Sequence, residues 1–236
     1  MEEYGHAIEI RPFGPPILKF RLPPNIVNDL NEFIDNSDHD QLVEALDYSE
    51  KLVGKVTSEL WIPPRLLARE ATWGFFSAAV NAFVEAYDQR YDSIHMNGNG
   101  ERYFDKEKGQ HLEAELQSAW FVRSLAGDYN PVHLHPDIHL SSVGYLKLPD
   151  WEEEMAMDAA DHSGRTNGCL QFQHGSANFF VRNTYTVVPE VGDFYIFPAW
   201  LPHCAYPFRS AGERRSFSIN FLLALMQNEE NEPEDD

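Results

Sequence analysis

The sequence predicts a mainly β protein, with a barrel of short strands in the second half of the chain and supporting helices in the first half. Three observations favour this class. Short apolar stretches after residue 116 are separated by Gly and Pro turns, and helical periodicity is confined to the first half. Aromatic residues make up 13% of the 236 residues, a content suited to a barrel core with helices packed outside it. A chain of this length falls within the range of one barrel or sandwich domain.

The first half contains the elements that we expect to support the barrel. Two apolar stretches between Ile8 and Arg21, separated by Gly14-Pro15-Pro16, predict strands that extend the main sheet. Asn25 is predicted to cap a helix, and Pro63-Pro64 to precede a longer one. The apolar stripes of these helices, interpreted as core, are Ile26, Val27, Leu30, Phe33 and Ile34, and then Trp73, Phe76, Val80, Phe83, Val84 and Tyr87.

The second half contains the strands of the predicted barrel. A strand from Leu116 to Val122 leads into a histidine-rich segment, and an apolar stretch that ends at Pro198 precedes His203. The strand from Arg214 to Leu222 alternates polar and apolar side chains. Its polar face, with Arg214 and Ser216, is therefore expected to look either to water or into the barrel lumen.

The segment Tyr129-Asn130-Pro131-Val132-His133-Leu134-His135-Pro136-Asp137 carries the candidate metal ligands. On an extended strand His133, His135 and Asp137 project to one side, so that any two neighbours could bind one ion. His203 would complete a facial triad, the arrangement with which non-haem Fe(II) oxygenases leave positions open for co-substrate and oxygen. The alternative interpretation is an ordinary polar strand face.

The stretch from about Gly127 to Asn220, roughly the last half of the chain, resembles the 2-oxoglutarate and Fe(II)-dependent oxygenases. The matching residues are Gly127 to His135, the strand Leu140 to Pro149, and Gly192, Asp193, Phe197, Pro198, His203, Glu213, Arg214, Ser216 and Asn220. The resemblance implies a double-stranded β-helix, also called a jelly roll or cupin-like core. It further implies a prolyl hydroxylase-like dioxygenase that uses Fe(II), 2-oxoglutarate and O2. Arg214 and Ser216 would bind the far carboxylate of 2-oxoglutarate, and Tyr145 would reach the same co-substrate.

Two ligand registers stay open at this point. His135-Pro136-Asp137 is a literal His-x-Asp motif, whereas the subfamily pattern places His133 and His135 at the two ligand positions. Asp137 would offset part of the metal's charge, and the spacing to the Tyr145 strand favours His133. His135 and His203 belong to both registers.

Composition limits the expected partners and location. A formal net charge of −20 argues against a nucleic acid or an acidic membrane surface as the main partner. No apolar run reaches the ~18 residues of a membrane span and no leader is visible, so a cytoplasmic protein is expected. The two cysteines, Cys169 and Cys204, cannot build a disulfide framework.

The expected substrate is an unidentified small molecule or protein side chain, and the oligomeric state is open. The alternative function is a non-catalytic, cupin-like metal-binding module.

One oxygenase domain is predicted over residues 1–226, with supporting elements in 1–115 and the barrel in 116–226. Residues 227–236 are predicted to be an acidic, disordered tail. The acidic cluster from Asp150 to Glu154 is interpreted as a solvated loop, with a recognition surface as the alternative. Residues 150–167 as a whole are expected to form a surface loop or else a mobile lid.

Overall fold

The computed structural model describes residues 8–10, 14–36, 39–48, 54–90, 109–161, 166–179 and 182–227. Within these residues the chain forms two antiparallel sheets together with helices, which confirms the mainly β prediction. The strands are β1 (Ile8–Ile10), β2 (Ile17–Arg21), β3 (Ser58–Trp61), β4 (Gln110–Ser124), β5 (Asn130–His133), β6 (Leu140–Lys147), β7 (Leu170–Gln173), β8 (Thr184–Val187), β9 (Asp193–Pro198), β10 (His203–Ala205) and β11 (Arg214–Gln227). The helices are α1 (Pro24–Asp35), α2 (His39–Leu46), α3 (Pro64–Leu67), α4 (Glu70–Arg90) and α5 (Trp151–Asp161).

The larger sheet joins both halves of the chain. Its seven strands follow the order β1-β2-β9-β6-β11-β4-β3, and the smaller sheet has the order β5-β10-β7-β8. The predicted extension of the main sheet by the first two strands is therefore confirmed, and β3 adds a further strand at the opposite edge. Strand β11 lies between β4 and β6, so that both of its edges are hydrogen-bonded to neighbouring strands. The two sheets form the predicted double-stranded β-helix.

The helices cover the outer face of the larger sheet. Helix α1 buries Ile26 and Leu30, and α4 buries Phe76, whose ring lies 5.3 Å from that of Phe194 and 6.0 Å from that of Phe217. Burial of each such side chain contributes roughly 1.5–3 kcal/mol. The apolar stripes predicted for the two helices are thus core, except for Tyr87, which is only partly buried and lies outside the core cluster.

The helix starts differ from the prediction. Helix α1 begins at Pro24 after Pro23, and Asn25 is not its cap. Proline fits the first turn because its missing N–H group would have had no partner there. Pro64 likewise begins the short helix α3, and the longer helix α4 starts only at Glu70.

The region after β6 is a helix, not the predicted loop. Helix α5 covers Trp151–Asp161, and Glu154 within it is only 1% exposed. Its carboxylate accepts hydrogen bonds from the backbone N–H groups of Arg209 (2.6 Å) and Ser210 (2.7 Å). The solvated-loop interpretation of the acidic cluster is therefore wrong for Glu154, which anchors the turn before β11.

Several sequence predictions concern the ends of the strands. Strand β4 is longer than the predicted Leu116 to Val122, and β11 continues beyond Leu222 to Gln227. Residues 228–236 of the predicted acidic tail lie outside the described residues.

Cys169 and Cys204 are buried free thiols. Among the described helices, none combines the length and the apolarity needed to cross a membrane.

Candidate metal and co-substrate site

A cavity of about 680 Å³ opens between the two sheets. Arg214, Ser216, Ser218 and Asn220 line its wall on β11. The intervening side chains of that strand, such as Phe217, pack under the helices instead. The polar face of β11 therefore looks into the barrel lumen rather than to water, the second of the two orientations considered for it.

Three histidines meet at one end of this cavity. His133 on β5 lies directly opposite His203 on β10, and their ring centroids are 4.3 Å apart. His135 follows β5, and its backbone N–H donates to the carbonyl of Ala199 at 3.0 Å. One ring nitrogen from each histidine lies within 4.8 Å of the others. The strand pairing thus brings residues 70 positions apart into one potential ligand set.

The backbone fixes the orientation of two of these rings. Nδ1 of His133 lies 2.8 Å from the carbonyl oxygen of Pro131, and Nδ1 of His203 lies 2.9 Å from that of Leu201. A carbonyl oxygen only accepts, so each Nδ1 carries the proton and donates it. Nε2 is then the unprotonated nitrogen in each ring, with a lone pair available to a metal.

Burial keeps the three imidazoles neutral. It lowers the pKa of His133, although the hydrogen bond to Pro131 acts in the other direction. Burial and the neighbouring His133 lower the pKa of His135 to about 4 and that of His203 well below its ordinary value. Neutral imidazole is the form that binds metal ions. The donor set therefore fits a transition metal such as Fe(II).

Asp137 lies outside this cluster. Strand β5 ends at His133, and the turn after it contains Pro136 and then Asp137 in a left-handed conformation with φ 61°. The turn breaks the strand alternation on which the predicted shared face of His133, His135 and Asp137 depended. Asp137 is exposed to solvent. Of the two ligand registers, the structure brings together the residues of the one with three histidines.

Arg214 is a buried cation in the wall of the same cavity. It is 4% exposed, and its Nη1 donates to the carbonyls of Tyr206 (2.9 Å) and Gly168 (3.3 Å). Its guanidinium carbon lies 5.6 Å from the ring centre of Phe208. No carboxylate of the described residues forms an ion pair with it, and burial lowers its pKa. A buried cation in this state fits an anionic ligand.

The other two predicted co-substrate residues lie beside Arg214. Ser216 is two positions along the same face of β11, and Tyr145 on β6 is paired with Ser216 across the sheet. Both line the cavity. Burial raises the pKa of Tyr145, while Arg214 acts in the opposite direction. The phenol therefore stays protonated at neutral pH and can donate a hydrogen bond.

Arg215 points to the opposite face, as the strand alternation predicts. Its guanidinium is hydrogen-bonded to Asn31 and Asp35 of α1, at 2.8 Å each, and to Glu213 at 3.1 and 3.2 Å. It thereby connects helix α1 to the sheet. The two adjacent arginines have different environments, one facing the cavity without a carboxylate and the other within an ion-pair network.

The wall contributed by β3 and its neighbours was not predicted from the sequence. Glu59 and Trp61 on β3 line the cavity together with Tyr48 and with Trp120 on β4. The available signal was the alternation Ser58-Glu59-Leu60-Trp61, in which Leu60 is core and Glu59 faces the other side. Because Leu60 faces the core, this alternation predicts that Glu59 faces either solvent or the barrel lumen.

The second half of the chain matches a known protein family, and solved structures resemble the chain as a whole. Residues 118–220 match the model of a family described as "Putative 2OG-Fe(II) oxygenase". A prolyl-4-hydroxylase from Pseudomonas putida shares the fold, with a TM-score of 0.50, 18% identity, and coverage of 87% of this chain and 91% of that one. A viral collagen prolyl hydroxylase from Paramecium Bursaria Chlorella virus-1, in its 2OG complex, gives a TM-score of 0.47 with 13% identity over 88% and 96% of the two chains. No curated protein matches the chain.

The fold is a double-stranded β-helix, and its cluster of three histidines could hold a metal ion. Over residues 118–220 the chain matches the model of the 2OG-Fe(II) oxygenase family, which confirms the resemblance found in the sequence. The match to this family implies Fe(II) as cofactor, with 2-oxoglutarate and O2 as co-substrates.

Proposed function

We propose that this protein is a hydroxylase-type dioxygenase in which His133, His135 and His203 bind Fe(II). Arg214 and Ser216 bind the far carboxylate of 2-oxoglutarate, with Tyr145 as a further donor. The overall reaction converts 2-oxoglutarate, O2 and a C–H group of the substrate into succinate, CO2 and a hydroxylated product. The substrate is a small molecule or a protein side chain.

One observation carries the proposal. A single cavity contains both the cluster of three neutral histidines and the buried Arg214, which has no carboxylate partner among the described residues. A purely structural metal site closes its coordination with protein ligands and has no need of a buried cation nearby. An open site that must also hold an anionic co-substrate needs both features.

The protein groups orient the reactants, while iron supplies the activation of oxygen when it is bound. Arg214 can offer its remaining guanidinium donors to a carboxylate, because Nη1 is already fixed by two carbonyls. Three neutral ligands leave the charge of a divalent metal uncompensated, so an anionic co-substrate is favoured at the open positions.

Asn220 is proposed to orient the third ligand. Its amide Nδ2 lies 3.5 Å from Nδ1 of His135, and its Oδ1 has no hydrogen-bond partner. A 180° rotation of the amide would bring Oδ1 to His135 and allow Nδ1 to donate to it. Nε2 of His135 would then be the metal-binding nitrogen, as in His133 and His203.

The extent and location of the protein complete the proposal. Residues 1–226 form one oxygenase domain, supported by the larger sheet, in which β1, β2 and β3 from the first half join strands from the second. A cytoplasmic location is proposed because Cys169 and Cys204 are free thiols, the state that a reducing compartment maintains.

Metal binding to single variants tests the ligand set. His135→Ala and His203→Ala should abolish stoichiometric Fe(II) binding in anaerobic titrations, and His133→Ala should weaken it by more than the ~10 to 100-fold typical of an outer-shell partner. Asp137→Ala should leave the affinity within about tenfold of the wild type. His139→Ala is the control, because His139 lies on the same segment but not in the cavity wall.

Addition of 2-oxoglutarate to the Fe(II) protein should produce a weak visible charge-transfer band, and exposure to O2 should yield succinate. Metal binding without 2-oxoglutarate binding would favour the non-catalytic module instead. Full iron retention in both His135→Ala and His203→Ala would contradict the ligand assignment.

A further inference from the structure

A buried carboxyl group faces the cavity from the edge strand of the larger sheet. Glu59 on β3 is 4% exposed and lines the cavity, and no hydrogen bond or ion pair of its side chain with a described residue acts on its pKa. Burial is the cause that raises the pKa of this carboxyl to about 7. Isolated carboxyl groups are costly to bury, so Glu59 needs a reason for its position.

Three aromatic residues lie next to Glu59 in the sheet: Tyr48, whose backbone N–H donates to the carbonyl of Glu59 at 3.0 Å, Trp61, two positions along β3, and Trp120, which is paired with Trp61. The ring of Tyr48 is 4.1 Å from that of Trp61 and 5.4 Å from that of Trp120, measured between centroids. Trp120 in turn lies 5.8 Å from the ring of His135. The aromatic cluster of Tyr48, Trp61 and Trp120 therefore continues from the carboxyl to the histidines, all within the same cavity.

Faces of indole and phenol rings attract cations, and this attraction is stronger where water is excluded. An aromatic cluster alone would also suit a neutral apolar group. The carboxyl distinguishes the two cases, because an apolar ligand would leave it unpaired, whereas an ammonium or guanidinium group would satisfy both the ring faces and the carboxylate.

The acidic Glu59 and the basic Arg214 lie on different strands of the cavity wall, with β4 between them. Glu59 on β3 is paired with Val122 on β4, which is paired with Ser216 on β11. Glu59 and Ser216 are thus two strands apart, about 10 Å, since neighbouring strands lie ~4.8 Å apart. Arg214 is on the Ser216 side. The 2-oxoglutarate dianion would be attracted to that side and repelled from the side of Glu59.

The overall charge acts in the same direction. A formal net charge of −20 favours the approach of cations and disfavours that of anions. An anionic co-substrate can still bind because Arg214 offers a local exception. On the Glu59 side of the described cavity wall the protein has no Lys or Arg that could bind an anionic substrate in the same way.

We propose that Glu59, with Tyr48, Trp61 and Trp120, forms a subsite for a positively charged nitrogen group of the substrate, an ammonium or a guanidinium. The subsite places that group beside the histidine cluster, so that a neighbouring carbon of the same molecule faces the metal. This inference rests on the proposed function, since it assigns the substrate class of the same cavity.

Matched probes test the subsite without a known substrate. The protein is loaded with Zn(II) and 2-oxoglutarate, which cannot react, and titrated with tetramethylammonium or with tert-butyl alcohol, a neutral molecule of similar shape. A second pair is Nα-acetylarginine amide and Nα-acetylcitrulline amide. The indole N–H signals of Trp61 and Trp120 in 15N NMR spectra report binding. At least one cation should bind tenfold or more tightly than its neutral partner.

Variants then assign the effect to the subsite. Glu59→Gln keeps the shape of the side chain and should weaken cation binding tenfold or more, with little change for the neutral probe. Trp61→Leu should weaken it as well. Glu113→Gln is the matched control, because it removes one negative charge from an exposed position on β4 and should leave binding unchanged.

Equal affinity for the cation and the neutral partner in both pairs would overturn the inference, and this comparison needs no variant. A loss of Zn(II) from Glu59→Gln as large as that from His203→Ala would also overturn it, since Glu59 would then be a metal ligand. Wild-type protein that binds the metal and 2-oxoglutarate but does not discriminate the probes refutes the subsite alone. Failure to bind 2-oxoglutarate refutes the proposed function.

Discussion

Single substitutions of the two adjacent arginines should show that one residue serves co-substrate binding and the other serves the stability of the fold. Arg214→Met removes the cation that faces the cavity, and Arg215→Met removes the one that faces helix α1. Both substitutions delete one positive charge from the same strand and keep a long apolar side chain. The two variants are therefore controls for one another, and each is expected to impair only one property.

The contacts set the expected magnitudes. Loss of a desolvated partner for an anion costs ~2 to 5 kcal/mol, so Arg214→Met should weaken 2-oxoglutarate binding by about 30-fold or more. Its stability should change little, because two lost hydrogen bonds to carbonyls are offset by removal of a buried cation with no carboxylate partner. Arg215→Met breaks the pair with Glu213, which is 11% exposed in its side chain, and should destabilise the fold by ~3 kcal/mol.

Two measurements on each variant decide the matter. Calorimetric titration of the metal-loaded protein gives the 2-oxoglutarate affinity, and scanning calorimetry gives the melting temperature. A loss of ~3 kcal/mol corresponds to a decrease of ~6 to 12 °C for a chain of this size. The assignment fails if Arg215→Met has the larger binding defect, or if Arg214→Met binds 2-oxoglutarate as tightly as the wild type.

Two further predictions concern stability. Because the pKa of Glu59 is raised from 4.5 to about 7 in the folded state, its contribution to stability is present below pH 4.5 and is lost as pH rises through 7. Glu59→Gln should reduce this loss, which is at most ~3 kcal/mol, in urea unfolding curves between pH 4 and pH 8; an unchanged pH profile would contradict it. Gly144→Ala should cost ~1 to 3 kcal/mol in thermal unfolding, because its Cβ would lie 2.3 Å from Cε1 of Phe217, whereas the control Gly14→Ala meets no atom within 4 Å.

Local patterns were sufficient to predict one wall of the cavity. The alternation along β11 distinguishes Arg214 from Arg215 without knowledge of any partner strand, because side chains of a strand alternate between its faces. The apolar stripes of α1 and α4 are similarly local. His203 was predictable because the apolar strand β9 ends shortly before it.

The other wall depends on contacts between distant parts of the chain. Glu59 faces the cavity because β3 pairs with β4, in the register that places Glu59 beside Val122. Nothing in the sequence around Glu59 specifies that partner. Glu154 was misjudged for the same reason, since the backbone N–H groups that it accepts from lie 55 and 56 residues further along the chain.

Asp137 illustrates a different limit, one of local conformation. The prediction of a shared face assumed that the strand continues through Pro136, but proline has no N–H group to offer to a sheet. The chain turns there, and Asp137 adopts a left-handed conformation that Asp and Asn tolerate better than most residues. The turn thus separates Asp137, the last residue of a literal His-x-Asp motif, from the three histidines that the barrel brings together.

The charged groups of the cavity indicate function because each is buried at a cost to the stability of the folded protein. Arg214 and Glu59 are both buried in the wall of one cavity, yet the rows of the sheet keep them apart and neither has a partner of opposite charge among the described residues. A direct ion pair, or two apolar side chains, would have been less costly for folding. Departures of this kind concentrate at functional sites, where a ligand supplies what the protein omits. A dianionic co-substrate at Arg214 and a cationic substrate group at Glu59 would satisfy both charges at the same time.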